Sequence, residues 1–84
     1  MLKILPLNPK VQKLLQKHHL TIKFQKQLRL LSENPKHPSL HLELLEPRQH
    51  GIYSFRVDRK FRALFIFRPE IASIEILAIT VHYH

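Results

Sequence analysis

His41, Glu43, Ser54, Arg56, Arg62 and His82 occupy spacings that can bring imidazoles, a carboxylate and two guanidiniums to one surface. In SLHLELLEP, Leu40, Leu42 and Leu44 alternate with His41 and Glu43, so a strand there has one apolar face and one polar face. IYSFRV repeats the pattern, with Tyr53, Phe55 and Val57 on one side and Ser54 and Arg56 on the other. Arg62 lies one residue into FRALFIFR, and His82 ends the apolar run of ILAITVHYH. If these polar faces coincide, the chemistry they suit is phosphodiester transfer. Guanidinium forks grip and neutralise a phosphate, while a carboxylate and an imidazole exchange protons as base and acid. No metal is required when the nucleophile is a ribose 2′-hydroxyl already beside the phosphorus. RNA carries that group and DNA does not. The competing reading is plain: alternating strands make polar faces by default, and Glu beside Arg is ordinarily a surface ion pair worth little.

Seven histidines invite a metal reading. His82 and His84 are two apart and face the same way on a strand, with His41 as the third candidate. Cysteine is absent and no carboxylate completes the set, so no metal and no cofactor is expected. His18 falls on the apolar edge of a helix as a partly buried structural residue. His19, His37 and His50 fall at a helix end or in loops and face solvent.

The elements that must position these residues follow from periodicity. Leu2 to Leu5 read as a first strand. NPKVQKLLQKHH opens a helix, with Asn8 as cap and Pro9 in the first turn, and puts Val11, Leu14, Leu15 and His18 on one face. TIKFQKQLRLLSEN starts again with Thr21 as cap and an apolar stripe of Leu20 or Phe24, then Leu28 and Leu31. The lysines on the outer sides of both helices read as a solvated face. After the NPKHPS break the period changes to two, and PRQHG, DRK and PEIA turn a meander. The expected fold is α+β: an N-terminal strand, then a helical hairpin packed on one face of a small antiparallel sheet, as a single domain over residues 1–84.

Composition agrees. The 84 residues are 44% hydrophobic, enough for one core. Fourteen Lys and Arg against six Asp and Glu give +8, which favours a polyanionic partner, nucleic acid before an acidic membrane or protein. MLKILPL is too short in apolar length for a signal peptide core, and no segment approaches the roughly 18 apolar residues of a span. A cytoplasmic location without membrane attachment is expected.

The half of the chain from Asn34 to His84 resembles the RelE/ParE superfamily of toxins from bacterial type II toxin–antitoxin modules. The resemblance rests on Asn34-Pro35 through Leu45, then Gly51-Ile52-Tyr53-Ser54-Phe55-Arg56-Val57, then Phe61-Arg62-Ala63-Leu64-Phe65, and the closing His82-Tyr83-His84. It implies a strand, a helical hairpin and a meander. The RelE-like branch, and its YoeB-type members most of all, implies an mRNA endoribonuclease acting on translating ribosomes. On this likeness Glu43 is the general base, Arg62 binds the phosphate with Arg56 in support, and His82 and Tyr83 form the terminal catalytic pair. His41, Arg59, Lys60 and His84 join as substrate-binding candidates. Glu46 lies three residues after Glu43 and is the alternative base, and His84 is the alternative acid. Arg62→Ala is expected to be nearly silent in fold and severe in activity.

The likeness also implies partners: a cognate antitoxin with an acidic or amphipathic segment, mRNA, and the 16S rRNA surface of the ribosome. Two rival functions stand beside the nuclease. A ParE-like toxin would poison DNA gyrase without touching RNA, and a degenerate member would only bind its antitoxin.

Overall fold

A computed structural model describes residues 3–81. β1 (Lys3–Ile4) precedes α1 (Pro9–Lys17) and α2 (Thr21–Glu33), and β2 (Glu43–Leu44), β3 (Tyr53–Arg56), β4 (Phe61–Arg68) and β5 (Ser73–Val81) follow. The start of α1 is as its sequence requires: the Asn8 side chain accepts from the Val11 backbone N–H at 2.9 Å, and Pro9 fills a position whose own N–H is not needed. The end of α1 is set by His19 in the left-handed region (φ 55°), with Leu20 N–H donating back to the Leu15 carbonyl at 2.8 Å. That turn feeds directly into α2. Thr21 is therefore the first helical residue and not the cap, and Leu20, which stands at the cap, makes no side-chain bond there.

The five strands form one sheet in the order β1-β5-β4-β3-β2. The meander from β2 to β5 is antiparallel, and β1 adds to it in parallel beside β5. The parallel pair follows from connectivity, because the helical hairpin carries the chain across the sheet between β1 and the meander. Leu20, Phe24 and Leu31 of the second helical segment and Val11 and Leu15 of α1 close over Phe55, Ala63, Phe65, Ile74, Ile76 and Ile79. Phe24 and Phe55 meet with ring centroids 6.0 Å apart. Among the described residues no helix covers the opposite face, where Glu43, Ser54, Arg56, Arg62, Leu64 and Thr80 share register.

Two features break the simple alternation. The expected strand over Leu40–Leu44 is only two residues long. Pro38–Leu40 instead form a single tight turn capped by His37, and His41 follows in the left-handed region at φ 43°. Leu40 is still fully buried, so its apolar character reported burial correctly while the conformation was decided by Pro38. The second feature is a β-bulge. Leu64 pairs with Ala78 but Phe65 pairs with Ile76, which leaves Leu77 as an extra residue in β5.

No helix among the described residues is long and apolar enough to cross a membrane.

Candidate functional site

Arg62 is the fixed point of the uncovered face. It is only 5% exposed, and its fork is engaged three times: Nε donates to Ser54 Oγ at 2.9 Å, and Nη2 donates to the Ser54 carbonyl at 3.2 Å and to the His41 carbonyl. Register explains the first contacts, since Ser54 and Arg56 face Leu64 and Arg62 across β3 and β4. Among the described residues the acceptors gather on Nε and Nη2, and none meets Nη1. Burial, above all, pulls the Arg62 guanidinium below its ordinary value; Glu43 opposes that shift and the neighbouring Arg56 adds to it. An arginine held this way stays cationic throughout the biological range.

Glu43 stands at the edge of the sheet on β2, directly across from Ser54. Its Oε1 lies 4.0 Å from Arg62 Nη2. That distance is too long for a hydrogen bond and short enough for Coulomb attraction. The carboxylate is thus drawn toward the guanidinium while its lone pairs stay available, and 55% of its side chain faces solvent. Glu46 is placed differently. It pairs with Arg48 at 3.3 Å in the β2–β3 connection, with both side chains more than three-quarters exposed. Of the two glutamates, the fold brings Glu43 to Arg62.

Arg56 is half-buried and lies opposite Arg62 in the ladder, so the two guanidiniums form a cationic pair on one face. Like charges across a strand pair are unfavourable unless an anion comes between them. Arg59 and Lys60 are exposed at the β3–β4 turn beyond Arg56, where Asp58 Oδ1 accepts the Lys60 and Phe61 N–H groups at 2.8 Å each. That turn keeps their positive charge at the end of the same ladder. His41 contributes its carbonyl to Arg62 and leaves its ring exposed. His82, Tyr83 and His84 lie outside the described residues; the last described ladder pairs before them set Thr80 opposite Arg62 and Val81 opposite Phe61. His18 is a structural residue: it caps α1, and its ring lies 4.8 Å from that of Phe61. Among the described residues no group of three metal-ligating side chains gathers.

Sequence reasoning missed two members of this arrangement. Alternation marks Ser54 only as a polar-face residue, yet it is buried and orients Arg62. The other is Gln27, within α2. It is 8% exposed, and its Nε2 donates to the Ser39 carbonyl at 3.1 Å and the Arg56 carbonyl at 2.8 Å. A signal existed, because Gln27 is three residues after Phe24 and four before Leu31, in phase with the buried stripe. A polar residue in that phase needs a partner. Here it ties the turn before Glu43 to β3. Gln27→Leu should remove about 2 kcal/mol of stability, by stranding two carbonyls, and lower the melting temperature by roughly 10 °C in a circular-dichroism melt.

No family model matches the chain, and no curated protein matches it by sequence. Solved structures do match over the whole length. A YoeB/ParE toxin from Agrobacterium tumefaciens superposes with a TM-score of 0.72 at 16% identity, covering 98% of this chain and 100% of that one. A YoeB dimer from Staphylococcus aureus gives 0.72 at 22% identity with 98% of each chain covered. A YoeB–YefM complex from the same organism gives 0.70 at 21% with 99% of each covered. With its five-stranded mixed sheet backed on one side by a helical hairpin, the chain has the fold of the YoeB/ParE toxins.

Proposed function

We propose that this chain is the toxin of a type II toxin–antitoxin pair and that it cuts mRNA on translating ribosomes without a metal ion. The observation that carries the reading is the pairing of an accessible glutamate with a buried, backbone-anchored arginine 4.0 Å away, on a sheet face that also carries Arg56. Glu43 takes the proton of a ribose 2′-hydroxyl. The 2′-oxygen attacks the adjacent phosphorus, and the Nη1 end of the Arg62 fork, with Arg56, stabilises the charge that develops on the phosphoryl oxygens. The proton for the leaving 5′-oxygen comes from the terminal set, from His82 or its alternative His84, with Tyr83 beside it. The products are a 2′,3′-cyclic phosphate and a 5′-hydroxyl, so the step is a transfer and consumes no water.

The location that goes with this activity is the cytoplasm, where mRNA is translated. The +8 charge suits two polyanionic occupants of the same surface. One is the mRNA on the 16S rRNA surface. The other is an antitoxin, for which the YoeB–YefM complex is the precedent, with an acidic or amphipathic segment laid over the uncovered face.

Primer extension on a reporter mRNA in a cell-free translation mix tests the reading. Discrete cuts that appear only when translation proceeds are the expected result. Intact mRNA at a dose that stops growth would discard the nuclease and direct attention to gyrase.

A further inference from the structure

Next to the Glu43–Arg62 pair lies a cavity of about 290 Å³ lined by Pro35, Lys36, His37, Pro38, His41 and Leu42. The chemistry described so far does not use it. Its size is at the lower end for small-ligand sites, which run from roughly 300 to 1,000 Å³, and suits one heterocyclic ring system better than a whole cofactor. Pro35, Pro38 and Leu42 give it apolar walls, two imidazoles supply hydrogen-bonding edges, Lys36 supplies a cation, and no acidic side chain lines it.

The walls are held in place from three sides. Arg62 bonds the His41 carbonyl, Gln27 bonds the Ser39 carbonyl, and the His37 Nδ1 accepts from the Ser39 N–H at 3.2 Å. The last bond also fixes chemistry. With Nδ1 accepting, a neutral His37 carries its proton on Nε2, so the ring nitrogen left over is a donor. Two prolines and the left-handed His41 further restrict the backbone. The cavity is therefore preformed.

We infer that this cavity takes the nucleobase of the nucleotide whose 2′-hydroxyl Glu43 deprotonates. The inference rests on the nuclease reading above and adds a base-recognition subsite to it. Its argument is connectivity on both sides. In the protein, His41 and Leu42 form one wall of the cavity and Glu43 is the next residue. In RNA, the 2′-oxygen and the base are carried on adjacent carbons of the same ribose, and the scissile phosphate is that nucleotide's 3′-phosphate. A ribose with its 2′-oxygen at Glu43 and its 3′-phosphate at Arg62 has one substituent left to place, and the cavity is beside it. The apolar walls take the faces of the ring, while His37 Nε2–H and the His41 ring meet its edge.

Nucleoside 3′-monophosphates reproduce that nucleotide and cannot be cut by the proposed chemistry. The experiment is an NMR titration of the isotope-labelled 84-residue chain with each of the four nucleoside 3′-monophosphates and with inorganic phosphate. Nucleotides should shift the amides of residues 35–42 and the His37 and His41 ring signals saturably, whereas inorganic phosphate should shift only the Arg56–Arg62 region. His41→Gly keeps the left-handed backbone at no steric cost and should weaken nucleotide binding by roughly five- to tenfold, the scale of one lost base contact. A cavity that stays silent under all four nucleotides, or nucleotide affinity unchanged in His41→Gly, would overturn the subsite. The two readings fail separately. A chain that binds nucleotides in the cavity but cuts no mRNA sinks the nuclease, and one that cuts mRNA with a silent cavity sinks the subsite.

Discussion

Glu43→Gln should lose about 10²- to 10⁴-fold in cleavage rate, the range for removing a general base, while the protein remains folded. The two expectations come from the same contact. Glu43 lies 4.0 Å from Arg62, too far for a hydrogen bond, and is half exposed at the sheet edge. Replacing the carboxylate by an amide of the same shape removes one weak ion pair, about 1 kcal/mol or less. It also removes the group able to accept the 2′-hydroxyl proton. Rates from primer-extension time courses, read beside a urea unfolding curve, check both halves. Cleavage at the parent rate by folded Glu43→Gln would disqualify Glu43 and leave Glu46 as the glutamate to test.

Arg62→Ala should be damaging in two ways. The sequence alone predicts a variant nearly silent in fold, and the environment of the side chain reverses that. Its guanidinium satisfies the Ser54 hydroxyl and carbonyl and the His41 carbonyl in a site where Ser54 is 1% exposed. Stranding such groups costs roughly 1–3 kcal/mol for each that water cannot reach, so a total near 3 kcal/mol is expected. For a domain of this size that lowers the melting temperature by about 10–25 °C. Where the variant is still folded, at low temperature, cleavage should fall a further 10²- to 10³-fold through the lost phosphate donor. Arg62→Lys separates the two effects: its ammonium keeps the charge but cannot reproduce the fork. It should recover part of the stability and little of the activity. A melting temperature unchanged in Arg62→Ala would contradict the anchoring role.

How far the sequence could be read depended on how local each determinant was. Asn8-Pro9 announced α1 because a cap and a first-turn proline act within four residues. Alternation in Tyr53–Arg56 placed Ser54 and Arg56 together, and the ladder kept them so. Leu40 was recognised as buried, but not as part of a turn, since a proline two residues earlier outweighed its alternation with Leu42. The candidate site was legible as a set of residue types on one face. What could not be read was how deeply each would sit. Arg62 and Ser54 are buried, and the Arg62 guanidinium is closed by the His41 carbonyl, a contact spanning 21 residues. Gln27 reaches 29 residues to Arg56. Such long-range polar closures leave no periodic trace beyond a polar residue in an apolar phase.

The extra residue Leu77 has a consequence for how this protein can change. Before it, even-numbered residues of β5 enter the core, as Ile74 and Ile76 do; after it, odd-numbered ones do, as with Ile79. The run Ile76-Leu77-Ala78-Ile79 is thus two half-patterns of opposite parity spliced together. Thr80 faces Arg62 only because of that splice. The end of β5 is therefore governed by the number of residues ahead of it as much as by their identities. Exchanging one apolar letter for another along this strand leaves the parity intact, whereas gaining or losing a single residue turns the inward row outward. In this strand the residue count constrains the sheet more tightly than the choice among apolar side chains.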